Sequence, residues 1–251
     1  MQPISTPLLP IFQDLIQQYP RLVNLNDPLW RLTNLYWIRD KSGNRVKFSP
    51  NWAQKILLED LHPLKIVLKC RQIGITTFFS LLLLDKALFE ENIQCGIIAQ
   101  TFDDASNIFK DKLKFAFDCL DPAIRPFFKL QGDSAKELSF AHGSKIRVGT
   151  SLRSTTLQYL HISEFGKICC KDPERALEVV TGSLQTVSSG QHIYIESTAE
   201  GSQGFYHDMV QRAFSQEKSG VPFSFMDYKP YFFPWWKEPD YSMDINETSR
   251  A

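Results

Sequence analysis

Short apolar runs alternate with longer segments of mixed polarity through the middle of the chain. Four runs have the length and the apolar content of buried strands: 64–69, 94–99, 157–163 and 191–197. Four other segments carry the patterning of helices: 76–90, 103–120, 173–184 and 205–214. Because apolar strands that alternate with helices form parallel β-α units, the pattern predicts an α/β fold with a central, mainly parallel sheet flanked by helices.

The segments on either side of this alternation carry turn and break signals. A turn cluster at 41–44, between aromatic and β-branched residues, predicts a hairpin within 30–48. We also expect a short helix over 51–61, a hairpin over 137–149 and a late strand over 222–227. These signals divide the chain into an N-terminal helical and hairpin subdomain (1–50), a core (51–228) and a C-terminal linker (229–251).

Composition excludes several classes of protein. Lys and Arg number 28, as do Asp and Glu, so a strongly basic nucleic-acid binder is not indicated, although a local basic patch is compatible with this balance. The five cysteines are odd in number and include no C-x-x-C pair, so neither a zinc site nor a disulfide framework is expected. The N-terminus lacks the pattern of a signal peptide, and the run from Phe78 to Leu84 is too short to span a bilayer.

The segment 69–77 has the context that a phosphate-binding loop requires. It follows a predicted strand and opens a predicted helix, whose free N–H groups attract anions. Against the pattern G-x-x-x-x-G-K-[ST], Gly74 and Thr76 match, whereas Lys69 stands at the first Gly and Ile75 stands at the Lys. A plain strand–loop–helix with exposed basic residues remains the alternative.

Two basic residues of this loop can replace the missing lysine. Lys69 and Arg71 are expected to reach the phosphates from the start of the loop, and the Thr76 hydroxyl is expected on Mg²⁺. The expected nucleotide contacts of the loop are Lys69, Arg71, Gln72, Gly74, Ile75, Thr76 and Thr77.

A second apolar strand ends in the pair Ser163-Glu164. The usual pair at such a strand end is Asp then Glu, in which Asp organises Mg²⁺ and Glu orients the attacking water. Glu164 is therefore the candidate for polarising water and for contributing to the metal site, and Ser163 is the candidate for holding a metal-bound water. A single solvated Glu at a strand end is the competing interpretation.

Three further residues are weaker candidates. Thr198 follows the strand 191–197 and would sense the γ-phosphate, unless this segment is a plain turn. The Gln54 amide can pair with the edge of adenine, or it can be a surface residue. Arg153 precedes the strand that ends in Glu164 and would act as an arginine finger, in cis or on a neighbouring subunit, unless it is an ordinary surface residue.

Taken together, these segments resemble the ATPase domain of phage terminase large subunits. The segment 71–77 resembles that family's phosphate loop (Walker A), and some members carry the loop lysine at the start, where Lys69 stands. The segment 160–164 resembles a Walker B variant with Ser in place of Asp, and 196–201 resembles the motor-coupling motif. Residues 233–241 resemble the segment that leads towards the nuclease, so the resemblance covers about residues 48–241.

The resemblance implies a P-loop NTPase of the ASCE, RecA-like type. It implies ATP with Mg²⁺, double-stranded DNA as the moved substrate, and a ring of subunits that works with a portal protein and a small terminase subunit in the host cell cytoplasm. It also implies a C-terminal nuclease that residues 1–251 do not include, so we expect no DNA cleavage by this chain.

Two other functions compete with a packaging ATPase. The first is a decayed terminase that binds nucleotide or DNA without turnover, since Ile75 and Ser163 depart from the usual motifs. The second is another P-loop enzyme such as a helicase, which would need a second motor domain for which 251 residues leave no room.

Overall fold

A computed structural model describes residues 11–152 and 156–241 of the chain. The strands are β1 (Trp37–Arg39), β2 (Arg45–Lys47), β3 (Leu64–Lys69), β4 (Gln94–Ile98), β5 (Leu130–Ser134), β6 (Glu137–Phe140), β7 (Lys145–Gly149), β8 (Leu157–Ser163), β9 (Val187–Ser197) and β10 (Lys229–Phe233). The helices are α1 (Ile11–Gln18), α2 (Pro28–Asn34), α3 (Trp52–Glu59), α4 (Ile75–Phe89), α5 (Phe102–Asn107), α6 (Phe115–Asp118), α7 (Phe165–Lys171), α8 (Pro173–Thr181) and α9 (Phe205–Ser219). None of the described helices is long and apolar enough to cross a membrane.

The central sheet confirms the predicted α/β fold. Its strand order is β10-β3-β9-β8-β4-β7-β6-β5, in which neighbours from β10 to β7 are parallel and the last two pairings are antiparallel. Strands β3, β9 and β8 are adjacent, so their carboxyl ends meet at one edge of the sheet. Open α/β sheets bind ligands at the carboxyl ends of their strands.

Most predicted elements are present close to their expected bounds. Strands β3 and β8 match 64–69 and 157–163, and the 41–44 turn joins β1 to β2 as expected. The helix predicted over 103–120 is α5 and α6 joined by a π-helical segment, Ile108–Lys114. Helix α7 and strand β5 were not predicted.

The C-terminal segment corrects two predictions. Residues 222–227 form no strand, because Ser224 and Asp227 close a short turn through their side chains and backbone. Residues 229–233, expected in a linker, form strand β10 at the edge of the sheet, where Tyr231 and Phe233 are buried. Pro230 is compatible with this position, since an edge strand needs to pair on one side only.

The N-terminal segment shares the hydrophobic core of the sheet and its helices. Buried side chains from residues 12–48 belong to one cluster with those of α4 and the central strands, so among the described residues the proposed boundary near residue 50 does not separate two cores. A buried ion pair joins the two parts: Arg31 Nη2 lies 2.7 Å from Asp85 Oδ2 on α4, and the Tyr36 hydroxyl donates to Asp85 Oδ1 at 2.8 Å.

We predict that Arg31→Met destabilises the protein by about 3–5 kcal/mol, because Asp85 would remain buried without its counter-charge. Chemical unfolding monitored by circular dichroism measures the change. The matched control is Arg21→Met, which breaks the exposed Arg21–Asp121 pair and should cost about 0–1 kcal/mol. Equal losses in the two variants would contradict the proposed anchoring role of the buried pair.

Candidate functional site

The loop between β3 and α4 is hydrogen-bonded to side chains at the start of the preceding helix, α3. Gly74 lies at φ 77°, a backbone conformation that is strained for a residue with a side chain, and a Cβ added to it would lie 2.8 Å from Gln54 Nε2. Gln54 Nε2 donates to the Gly74 carbonyl at 2.9 Å, and Asn51 Nδ2 donates to the Ile73 carbonyl at 2.8 Å. Helix α3 therefore fixes the loop so that the N-terminus of α4 opens onto the ligand-binding edge of the sheet.

Lys69 connects this loop to the end of β8. Its side chain is only 7% exposed, and Nζ donates to Glu164 Oε1 at 2.6 Å. The same Nζ lies 3.2 Å from Glu196 Oε2, at ion-pair distance but outside hydrogen-bond geometry. The displaced lysine of the sequence motif is thus placed between two carboxylates.

Glu164 is held at the sharp turn from β8 into α7. Its φ is 55°, a left-handed conformation that is strained for a residue with a side chain. Its second carboxylate oxygen, Oε2, lies 3.0 Å from Lys167 Nζ and accepts bonds from the Thr198 hydroxyl at 3.2 Å and the Thr198 amide at 3.4 Å. These contacts bring together Lys69, Glu164 and Thr198, which the sequence placed at three different strand ends.

Glu196, on β9, is the functional candidate that the sequence analysis missed. It is fully buried, and its Oε1 accepts bonds from the hydroxyls of Thr76 and Ser163, each at 2.7 Å. Those two hydroxyl oxygens are 3.4 Å apart, so Thr76, Ser163 and Glu196 form one compact group. A signal was available in the sequence, because Glu196 is an acid directly after the apolar run Ile193-Tyr194-Ile195, at a strand end beside the other candidate sites.

Electrostatics favour the charged form of all three central groups. Burial alone would lower the pKa of Lys69, but Glu196 and Glu164 outweigh it and raise that pKa. Burial and Glu196 both act to raise the pKa of Glu164, yet Lys69 and Lys167 hold it below its ordinary value. Burial likewise acts to raise the pKa of Glu196, and Lys69, with the hydrogen-bond donors around it, brings it well below the usual range.

Exposure and contacts differ among the remaining predicted residues of the loop. Arg71 and Gln72 are exposed, Gln72 has φ 55°, and Ile75 is buried. Thr77 accepts a bond from Lys112 Nζ at 2.9 Å.

Lys112 was not singled out from the sequence. It comes from the π-helical segment between α5 and α6 and is another half-buried cation beside the loop. A π-helical insertion often marks a functional site.

The roles of all the candidate residues remain predictions, those of Gln54 and Arg153 among them. The Gln54 side chain is buried and already bonds to the Asn51 amide and the Gly74 carbonyl, which leaves one N–H for a further partner. Arg153 lies outside the described residues.

The donor set around Thr76 fits a hard cation. It consists of hydroxyl and carboxylate oxygens, which Mg²⁺ prefers, and the nearby helix N-terminus fits phosphate. Among the described residues there is no group of three or more His, Cys, Asp or Glu that could hold a metal. A cation here would therefore complete its shell with phosphate and water oxygens, as Mg²⁺ commonly does.

We predict that Lys69→Met destabilises the nucleotide-free and metal-free protein more at pH 8 than at pH 5. Without Lys69, the pKa of buried Glu196 should rise above its unfolded value of about 4.3. The native variant would then bind more protons than the unfolded chain, so its stability would fall as the pH rises. In the wild type, the depressed pKa values of Glu164 and Glu196 instead preserve stability until the pH falls below about 4.

Urea unfolding at the two pH values measures this difference. The matched control is Lys167→Met, which removes a lysine from Glu164 and leaves the Lys69–Glu196 pair in place. The control should show little change of its effect with pH. A Lys69→Met effect that is the same at pH 5 and pH 8 would contradict the assigned pairing.

Comparison with known proteins places this geometry on a known fold. No family model and no curated protein matches the sequence. The ATPase domain of the large terminase of Thermus phage P74-26 matches at 17% identity with a TM-score of 0.55, over 84% of this chain and 86% of that one. A mutant of the same domain matches at 17% identity with a TM-score of 0.51, over 82% and 84%. The chain has the mainly parallel α/β fold that is seen in the ATPase domain of a phage large terminase.

Proposed function

We propose that this chain is the ATP-hydrolysing motor domain of a terminase large subunit, which drives double-stranded viral DNA into a procapsid. One observation carries the proposal: Lys69, Glu164 and the Thr76–Ser163–Glu196 group meet beside the N-terminus of α4. Phosphoryl transfer needs a helix N-terminus, a cation and a carboxylate close together. All three are present here at the carboxyl ends of the parallel strands, with the carboxylate on a strained backbone turn.

The triphosphate would lie against the loop 69–77. Backbone N–H groups at the start of α4 would bind its oxygens, and Lys69 and Arg71 would neutralise charge that develops on them. Exposed Arg71 is accessible to a ligand, whereas Lys69 first has to leave Glu164. Nucleotide binding would therefore exchange a carboxylate partner of Lys69 for a phosphate partner.

Thr76 and Ser163 would hold Mg²⁺, directly or through a bound water. Mg²⁺ held there would supply positive charge that offsets the negative charge of the phosphate oxygens. Glu164 lies on the adjacent strand end and would accept a proton from the attacking water once Lys69 has left it. Thr198 donates to the same carboxylate, so loss of the γ-phosphate would be transmitted to the segment that follows β9.

Two recognition roles complete the proposed site. The remaining N–H of Gln54 would pair with adenine while the rest of its amide supports the loop. Arg153, just before β8, would supply the arginine finger to its own or a neighbouring subunit.

The proposed setting is a ring of subunits in the host cell cytoplasm. The ring would act on double-stranded DNA together with a portal protein and a small terminase subunit, and this chain would not cleave DNA. The overlap with the P74-26 large terminase ATPase domain, which spans most of both chains, supports this setting.

A decayed terminase that binds ligand without turnover is the second candidate. The observation that favours it is the loop lysine's engagement by two acids, combined with Ile75 and Ser163 at positions where a motor usually has Lys and Asp.

We predict Mg²⁺-dependent ATP hydrolysis whose specific rate rises with protein concentration, because a neighbouring subunit completes the site. Glu164→Gln should lower kcat by about 10²–10⁴-fold with nucleotide binding retained, since it removes the proton acceptor. Lys69→Ala should weaken nucleotide binding and abolish turnover.

The matched controls are Glu217→Gln and Lys218→Ala on the exposed end of α9, which should behave as wild type. Turnover is measured by phosphate release and binding by titration calorimetry. The motor function would be refuted if no protein turned over at any concentration and Lys69→Ala left nucleotide binding unchanged. The decayed or purely structural alternative would then stand.

A further inference from the structure

We propose that Glu196 is the residue that organises the Mg²⁺ site, in the place of the aspartate that the sequence lacks at Ser163. The inference rests on the proposed function, because it concerns the same nucleotide site. It assigns a positioning role to a residue on β9, a strand between the loop-bearing strand and the strand that ends in Glu164.

The strand register places the Glu196 carboxylate between β3, which leads into the phosphate loop, and β8, which carries Ser163. Glu196 pairs with Val67 on β3 and with Ser163 on β8, so it lies one strand across from the position of the missing acid. A glutamate on the neighbouring strand, with its longer side chain, can bring a carboxylate to the same place as an aspartate at position 163. The site thereby retains two acids, Glu196 and Glu164, although the pair Ser163-Glu164 contains only one.

The hydroxyl hydrogen bonds indicate what this carboxylate does. A hydroxyl that binds a cation through oxygen must direct its proton away, towards an acceptor. Glu196 Oε1 is that acceptor for both Thr76 and Ser163, each at 2.7 Å. With its proton engaged there, each hydroxyl has lone pairs left for a cation or for a cation-bound water.

Pairing with Lys69 does not by itself account for this arrangement. Lys69 already has a carboxylate partner in Glu164 at 2.6 Å, and Glu196 offers it only Oε2. Oε1 instead receives the two hydroxyls, and His161 Nε2 lies 3.5 Å from it. Only a carboxylate offers acceptors on both sides, one oxygen for the two hydroxyls and one for Lys69, whereas an amide would turn its NH2 group towards one of them. This double demand is a physical reason to bury an acid here in spite of its cost.

The test compares Glu196→Gln with the double variant Ser163→Asp/Glu196→Gln, which returns a carboxylate to the usual position. Two readouts are independent of turnover: the affinity for ADP with and without Mg²⁺, by calorimetry, and the binding of Mn²⁺ to the ADP complex, by electron paramagnetic resonance. Glu217→Gln, an exposed Glu-to-Gln change on α9, is the control.

We expect Glu196→Gln to bind metal-free ADP like the wild type and to bind Mn²⁺ in the ADP complex about 10- to 100-fold more weakly, the usual cost of losing a residue that orients metal ligands. Ser163→Asp should restore most of that affinity in the double variant. Thermal unfolding confirms that each protein is folded. If Glu196→Gln does not fold, Glu196→Asp, which keeps a charge beside Lys69 but withdraws the oxygens, should show the same weakening.

The outcomes separate this inference from the function on which it rests. If wild-type protein binds Mn²⁺–ADP and Glu196→Gln binds it equally well, the role of Glu196 is refuted and the nucleotide site stands. If Glu196→Gln is weakened but Ser163→Asp restores nothing, Glu196 supports the structure instead of replacing the missing aspartate. If wild-type protein binds no nucleotide at all, both proposals fail.

Discussion

The site depends on one buried ammonium group held between two buried or half-buried carboxylates. Taking Lys69, Glu164 and Glu196 out of water is favourable only while the three charges stay together. Their partnership is possible because β3, β9 and β8 are neighbours, which places the end of each strand within reach of the next. The order of the parallel strands therefore positions the three charged side chains, and the surrounding helices and hairpins support the strand ends.

The backbone is strained at two positions beside this site. Gln72 and Glu164 both adopt left-handed φ values of 55°, one in the loop and one at the turn out of β8. Each turn changes the chain direction at the sheet edge, and the one at Glu164 aims its carboxylate back at the lysine. Strain at these turns is offset by the buried contacts around them, an arrangement typical of binding and catalytic sites.

The sequence predicts the sheet and part of the site because both rest on short-range patterns. Lys69 and Glu164 each end an apolar run, so the convergence of strand ends brings them together by a general rule. The role of Glu196 could not be predicted in this way. Its contacts reach residues on two neighbouring strands, and the order of strands in a sheet depends on long-range pairing. Strand β10 and the packing of the N-terminal segment into the main core are missed for a similar reason, because Phe233 and Tyr36 are buried by partners that are distant in the sequence.

The central claim is that the Lys69–Glu164 pair is the resting form of a nucleotide site. The most direct measurement is a structure of the protein with a non-hydrolysable ATP analogue and Mg²⁺. We expect the triphosphate to occupy the N-terminus of α4 and Lys69 Nζ to have moved from Glu164 to a phosphate oxygen. An analogue bound elsewhere, or bound at this loop with Lys69 still 2.6 Å from Glu164, would contradict it.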